Sequence, residues 1–195
     1  MKFRLLAAIA VLSSTAIAAH AQAAGLYVNP IAYRISLSVP DTGPFAFLGS
    51  GKTSQMFYGV SIGGYYEFLH QDKLAVSLDM RDSIVHGNNA SLNNFLIGPR
   101  VSVSPFSFPL HPYAQLSIGV GTSKPPTNAL HTSKVEYGVF AGADYALNHH
   151  FDWRVLEVGY GSVQTISSSV VGASTSAIPS ANLLSFSTGF VFRFP

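Results

Sequence analysis

Apolar residues alternate with small or polar residues along eight short segments of this 195-residue chain. The third segment shows the pattern most clearly. Its apolar phase is Leu74, Val76, Leu78 and Met80, and its other phase is Ala75, Ser77, Asp79 and Arg81. Because successive side chains of a β-strand point to opposite faces, one face is apolar and the other carries charge. This pattern is typical of a barrel that faces lipid on its outside and holds polar groups inside.

The eight segments predict strands at 26–39, 57–68, 74–84, 93–104, 112–121, 135–145, 152–164 and 183–194. Short connections at 69–73, 105–111 and 146–151 alternate with longer ones at 40–56, 85–92, 122–134 and 165–182. This alternation of short and long connections is typical of barrels with short turns at one end and longer loops at the other. We therefore predict an all-β fold, an eight-stranded antiparallel transmembrane barrel. It must close, because unpaired backbone groups cannot face hydrocarbon.

Most charged side chains fall on the phase that faces the interior. The predicted interior charge network is Arg34, Glu67, Asp79, Arg81, Arg100, Glu136, Asp144, Glu157 and Arg193. An eight-stranded barrel is only wide enough for its own side chains, so acids and bases should pair across the lumen and plug it. A gated pore or proton path is the alternative interpretation of the same charges.

Several residues test this assignment of phase. Asp79 and Arg100 lie on neighbouring strands and should contact each other inside the barrel. On the first strand the expected outward phase includes Ile31 and Tyr33, with Arg34 inward. Arg154 falls on the lipid-facing phase, which is tolerable only near an interface. Pro99 lies within a strand, where its missing N–H suggests a bulge.

Aromatic residues cluster near both ends of the predicted strands. Those near the turn ends are Tyr27, Tyr66, Phe68, Tyr145, Trp153 and Phe194. Tyr58, Tyr137 and Tyr160 lie toward the loop ends. Two belts of amphipathic rings are expected at the two headgroup regions of a membrane.

Composition excludes several classes of protein. Charged residues make up 10% of the chain, against about 25% in an ordinary soluble domain. Lys2 and Arg4, the apolar run 5–17 and Ala19-His20-Ala21 form a secretory signal peptide, 1–21, with 23 as the alternative end. The barrel domain is then 22–195. Lys2 and Arg4 take two of the 11 basic residues, leaving nine against nine acids, so no nucleic-acid partner is indicated.

The C-terminal run Gly189-Phe190-Val191-Phe192-Arg193-Phe194, followed by Pro195, is similar to the terminal strand of bacterial outer-membrane barrels. With the signal peptide and the eight segments, the chain resembles small barrels of the OmpA/OmpX type. The resemblance implies a location in the cell outer membrane of Gram-negative bacteria, contact with its lipids, and insertion by the barrel-assembly machinery. Gly189, Phe190, Phe192 and Phe194 would form the insertion signal.

Histidines are the main candidates for chemistry. Outer-membrane lipid A deacylases are eight-stranded barrels with a His-x-Ser-Asn signature. His86-Gly87-Asn88-Asn89 and His131-Thr132-Ser133, both in predicted loops, approach that signature without matching it. His149-His150 has poor spacing for one metal ion, and the chain has no cysteine. We therefore expect no cofactor, no metal site and no catalytic residue.

The leading hypothesis is a non-enzymatic, monomeric barrel with a structural role or an adhesive role through its loops, whose partner the sequence does not identify. One alternative is a barrel enzyme that modifies lipid A. The other is a soluble, lipocalin-like binder, which the inward charges disfavour because they would ruin an apolar bore.

Overall fold

The computed structural model describes residues 23–38, 40, 47–71, 73–104, 108–126, 131–164 and 180–194. The signal peptide at 1–21 lies outside the described residues. Eight antiparallel strands close into one barrel in sequence order, which confirms the predicted fold. They are β1 Ala24–Ser36, β2 Ser54–Gln71, β3 Leu74–Gly87, β4 Ala90–Val103, β5 Leu110–Lys124, β6 Thr132–Ala146, β7 Phe151–Gln164 and β8 Ser180–Phe194. No helix among these described residues is long and apolar enough to cross a membrane.

The barrel has two distinct ends. The turn end holds the start of β1, the end of β8 and the connections β2–β3, β4–β5 and β6–β7. The loop end holds the other four connections. The prediction of a long loop at 85–92 is wrong, because Asn88 and Asn89 alone join β3 to β4. Their φ angles are 52° and 58°. Two left-handed residues form the tight turn that suits twisted strands.

The outer face is apolar over most of the barrel. Leu116, Tyr58 and Phe190 are each 60% exposed or more, and they share the outward phase with other large apolar side chains. Of the aromatic residues predicted to form the two belts, those exposed on the outer face are Tyr58, Tyr66, Phe68, Tyr137, Trp153, Tyr160 and Phe194. The prediction is wrong for Tyr27, which is buried in the lumen. A surface of this kind suits lipid as its solvent.

On β1 the expected phase is wrong. Ile31, Tyr33 and Ile35 point inward and are buried, whereas Arg34 is exposed on the outer face between Met56 of β2 and Leu184 of β8. The reason is that the lumen is apolar near the loop end, so the inward-facing residues of β1 are apolar there rather than charged.

Residues from the wall and from one loop form this apolar region, which we call the mouth cluster. Its wall residues are Ile31, Tyr33, Ile35, Leu37, Phe57, Val85, Ala90, Leu92, Val163, Ala181 and Leu183. Phe47 and Leu48, from the β1–β2 connection, complete the cluster, and the Phe47 ring stacks on Phe57 with centroids 5.1 Å apart. The loop thus closes the barrel at its loop end.

Bulges lie elsewhere than predicted. Pro99 stays in register with β3, and β4 keeps one register with β5 on both sides of it. Register shifts occur instead between Glu67 and Leu69, and on β7 between Arg154 and Glu157. Since a bulge inserts one extra residue, the phase of β7 changes there and Arg154 turns inward. The expectation that Arg154 faces lipid is therefore wrong.

Charge on the outer face should cost more at mid-depth than at the edge. Leu116 lies in the middle of β5, and Leu74 is the first residue of β3, at the turn end. Leu116→Arg should lower the free energy of unfolding from bilayers by about 2–4 kcal/mol, and Leu74→Arg by about 0–1 kcal/mol. Urea titration of both variants in lipid vesicles measures the difference. Equal costs would contradict the placement of this face in lipid.

Candidate functional site

Six charged side chains form one layer across the lumen, in its turn-end half. This charged layer consists of Asp79, Arg81, Arg100, Asp144, Arg154 and Glu157. Three guanidinium groups balance three carboxylates, and each of the six residues is at most 3% exposed. Such groups are tolerated in a packed interior only when they are paired and hydrogen-bonded.

Glu157 receives the largest number of contacts in the charged layer. Arg81 donates to both of its oxygens, at 2.8 and 3.0 Å, in a bidentate contact. Tyr113 donates at 2.6 Å, Ser187 at 3.2 Å and Arg154 at 3.5 Å. Glu157 therefore ties β3, β5 and β8 to its own strand β7.

Asp144 pairs with two of the three arginines in the charged layer. Arg100 donates to it at 2.6 Å, and the Nε of Arg154 donates at 2.9 Å. Asp79 accepts instead from Tyr27 at 2.8 Å and from Gln115 at 2.9 Å, with the Arg81 Nε 3.5 Å away.

The predicted contact between Asp79 and Arg100 is therefore wrong, although both side chains point inward. Strand register places Ser77, not Asp79, opposite Arg100. The long Arg100 side chain then reaches past its neighbouring strand to Asp144 on β6. Reach across the lumen decides the partner here, rather than adjacency along the sheet.

Aromatic rings stack against all three guanidinium groups. Arg100 lies between Tyr113 and Tyr65, at 3.9 and 4.3 Å from the ring centroids. Arg154 lies 4.3 Å from Tyr27 and 4.9 Å from Tyr113. Arg81 lies 4.1 Å from Phe140 and 5.8 Å from Tyr27. Rings and cations alternate in one stack through the lumen, in the order Phe140, Arg81, Tyr27, Arg154, Tyr113, Arg100 and Tyr65.

Glycines make room for these rings. Tyr113 lies directly opposite Gly142, and Tyr65 lies opposite Gly25. A Cβ at Gly142 would come within 2.6 Å of the Tyr113 hydroxyl, and one at Gly25 within 2.5 Å of the Tyr65 ring. The rings can therefore lie flat across the neighbouring strand, where any other residue would displace them. A glycine that lies opposite an inward-facing aromatic residue is therefore a sequence signal for a ring that lies flat in the lumen.

The remaining predicted network residues lie outside the charged layer. Glu136 is buried nearer the loop end, where its Oε1 accepts a hydrogen bond from Asn94 at 2.9 Å. Glu67 lies at the turn end, 2.6 Å from the His70 ring. Arg193, also at the turn end, pairs with Asp152 at 2.9 Å. Arg34, as described above, is on the outer face.

The aromatic residues of the C-terminal strand form a cluster near the turn end. Phe192 meets Phe194 at 4.7 Å and Phe151 of β7 at 5.0 Å between centroids. Phe190 points outward, and Gly189 packs so closely on Asn29 of β1 that a Cβ would collide with it. The terminal strand is thus packed on both neighbours at the seam where the barrel closes.

The histidines do not assemble a site. His86 is in β3 rather than in a loop, exposed, with Ser91 of β4 opposite it. His131 is exposed just before β6, and His149 and His150 are exposed between β6 and β7. Within the part of the chain that the structure describes, no group of three or more His, Cys, Asp or Glu side chains is arranged to hold a metal ion.

A closed, lipid-facing barrel with charges sealed inside defines a small outer-membrane protein. The model of the outer membrane protein beta-barrel domain family matches residues 5–194, and the chain belongs to this family. Its location is therefore the cell outer membrane. A comparison with curated proteins gives no significant match.

Two solved barrels illustrate the shared fold. Neisserial surface protein A is 15% identical with a TM-score of 0.53, over 88% of this chain and 99% of its own. Ail, the attachment invasion locus protein of Yersinia pestis, is 12% identical with a TM-score of 0.55, over 88% of this chain and 98% of its own. Another structure of Ail, with a TM-score of 0.54 and 12% identity, contains the heparin analogue sucrose octasulfate; 89% of this chain and 99% of that one are covered.

Neutralising Glu157 should destabilise the barrel severely. Glu157→Gln leaves Arg81 and Arg154 buried with one carboxylate fewer, which costs about 3–5 kcal/mol. Glu67→Gln is the matched control, because the ion pair of Glu67 is with the exposed ring of His70, and pairs near the surface contribute about 1 kcal/mol or less. Free energies of unfolding in urea should separate the two variants. Similar values would show that the charged layer contributes little to folding.

Proposed function

We propose that this protein is a plugged, non-conducting and non-enzymatic barrel that acts through the surface at its loop end. The charged layer carries the proposal. Its six side chains are almost completely buried and are packed between aromatic rings. An eight-stranded bore has no room for both this layer and a water-filled path.

The loop end offers a cationic surface for interaction. Arg34, Lys52 and Lys124 are exposed there, and Lys134 is half-buried near the start of β6. The four connections at this end contain a single carboxylate in the sequence, that of Asp41. Net positive charge around a rim attracts polyanions at long range. A sulfated or phosphorylated saccharide is the class of partner that these side chains suit.

Neither alternative gains support from the geometry. A lipid A hydrolase needs a base held by hydrogen bonds beside its nucleophile, whereas His86, in β3, and His131, just before β6, are both exposed. A lipocalin-like binder needs a polar outer face, whereas this one is apolar. The role we propose is structural or interactive, without a cofactor.

Conductance is the direct test of the plug. The purified barrel in planar bilayers should produce no discrete single-channel steps. A variant with Arg81→Ala and Arg154→Ala, shown to be folded by its heat-modifiable gel mobility, is the positive control for an opened lumen. Steps from the unsubstituted protein would contradict the proposal, and fatty acid released from lipid A in a manner dependent on His86 or His131 would place the protein among the enzymes.

Polyanion binding tests the loop end. Sucrose octasulfate should bind the folded barrel, and affinity should fall as salt is raised, because exposed charges are screened. Lys52→Gln and Lys124→Gln should each weaken binding by about fivefold, equivalent to about 1 kcal/mol. Lys73→Gln, at the turn end, is the control and should have no effect. Equal losses at both ends, or no binding, would contradict a role for this surface.

A further inference from the structure

Glu136 is a buried carboxyl group that stands apart from the charged layer. It is 2% exposed, and Asn94 donates to its Oε1 at 2.9 Å. None of the residues that the structure describes forms a hydrogen bond with its Oε2. Among the described residues no cationic nitrogen lies within salt-bridge distance of it. An isolated carboxylate in such surroundings is unfavourable enough that the neutral acid is the stable form.

A small cavity lies beside this carboxyl group, with space for about one water molecule. Glu136, Tyr33 and Ser185 are the buried polar residues of its lining. Within the described part of the chain, neither the Tyr33 hydroxyl nor Glu136 Oε2 has a hydrogen-bond partner. Phe140 and Leu183 contribute apolar walls. The cavity is thus a place beside Glu136 where water could solvate a charge.

The elements packed against Glu136 bring no compensating charge. In the sheet its neighbours are Gly119 of β5 and Val163 of β7. Two tyrosines line the same cavity: Tyr33 of β1 is buried, whereas Tyr160 of β7 has its side chain exposed on the outer face. Asn94 of β4 is neutral. Lys134, two residues away on β6, has no ion pair with Glu136. A charge on Glu136 would therefore need water rather than a protein partner.

Two packed regions of the lumen lie on either side of Glu136. The charged layer fills the lumen on the turn-end side. On the other side lies the mouth cluster, in which Tyr33, Val163 and Leu183 form the wall and Phe47 and Leu48 form the closure. Tyr33 and Leu183 also line the cavity beside Glu136. The cavity beside Glu136 thus shares two of its lining residues with the cluster that Phe47 and Leu48 complete.

We propose that Glu136 is a proton-binding site that keeps the mouth of the barrel closed. With its proton, the neutral carboxyl group is compatible with the apolar cover. When the proton leaves to solvent, the carboxylate that remains draws water into the cavity, and Phe47 and Leu48 move out of the mouth cluster. The charged layer stays intact, so the mouth opens as a blind apolar chamber and not as a pore. This device goes beyond the proposed function and does not depend on it.

Cysteine labelling tests the device, because the chain has no cysteine of its own. Leu48→Cys places one thiol in the closure, and Lys52→Cys places one on the exposed part of the same connection. The rate of reaction with a charged, membrane-impermeant thiol reagent is measured on the folded barrel from about pH 6 to about pH 10, a range that includes the ionisation of buried carboxyl groups in other proteins. Dividing the first rate by the second removes the pH dependence of the thiol itself.

The ratio should rise with pH by up to about tenfold per pH unit, the limit for opening linked to one proton. In the Glu136→Gln background the ratio should stay flat and low. Ala181→Cys, in the wall of the mouth cluster, is the second reporter if Leu48→Cys does not fold. Gel mobility at each pH verifies that the barrel remains folded.

An equal rise with and without Glu136→Gln would overturn the proposal, and so would a ratio that stays flat in both. Conductance measurements distinguish a failure of the proton-site proposal from a failure of the plug proposal. Opening of the mouth should leave planar bilayers silent, because the charged layer still fills the lumen. A failure of the plug would appear as current, and a failure of the proton site would appear only in the labelling ratio.

Discussion

The bidentate contact between Arg81 and Glu157 organises the interior of this barrel. It joins β3 to β7 across the lumen, at 2.8 and 3.0 Å. Around it, Tyr113 and Arg154 bind the same carboxylate, and Arg154 passes the network on to Asp144 and Arg100. Because a guanidinium fork fits a carboxylate in one plane, this contact fixes orientation as well as distance. Buried pairs of this kind specify one arrangement more than they add stability.

Alternation along the chain was sufficient to predict the strands, the closure and most of the inward charges. It failed on β1, where Ile31, Tyr33 and Ile35 form an apolar phase that resembles a lipid-facing one. They face inward because the lumen near the loop end is packed like the core of a soluble protein, and Arg34 takes the outer position. An alternation of period two shows that a strand has two different faces. It does not show whether the apolar face meets lipid or the apolar part of the lumen.

Partners within the lumen could not be predicted for a different reason. One extra residue on β7 shifts the phase of the strand, so Arg154 points inward although it has the parity of the outward-facing Leu156. Arg100 finds Asp144 because its side chain extends beyond the adjacent strand. The rings were missed too, although Gly25 and Gly142 mark the places where Tyr65 and Tyr113 lie flat. Pairing inward glycines with inward aromatics across predicted registers would have located most of the stack.

Loops generally lie on the surface of a protein, vary in sequence and tolerate insertions. The β1–β2 connection of this protein is different, because Phe47 and Leu48 are completely buried and belong to the packed interior. Exchange of the two-residue β3–β4 turn alters only a tip, whereas exchange of the β1–β2 connection removes part of a core. Sequence drift, grafted epitopes and inserted tags are therefore tolerated unequally around the same rim. For this barrel the boundary between scaffold and display surface runs through the middle of a single loop.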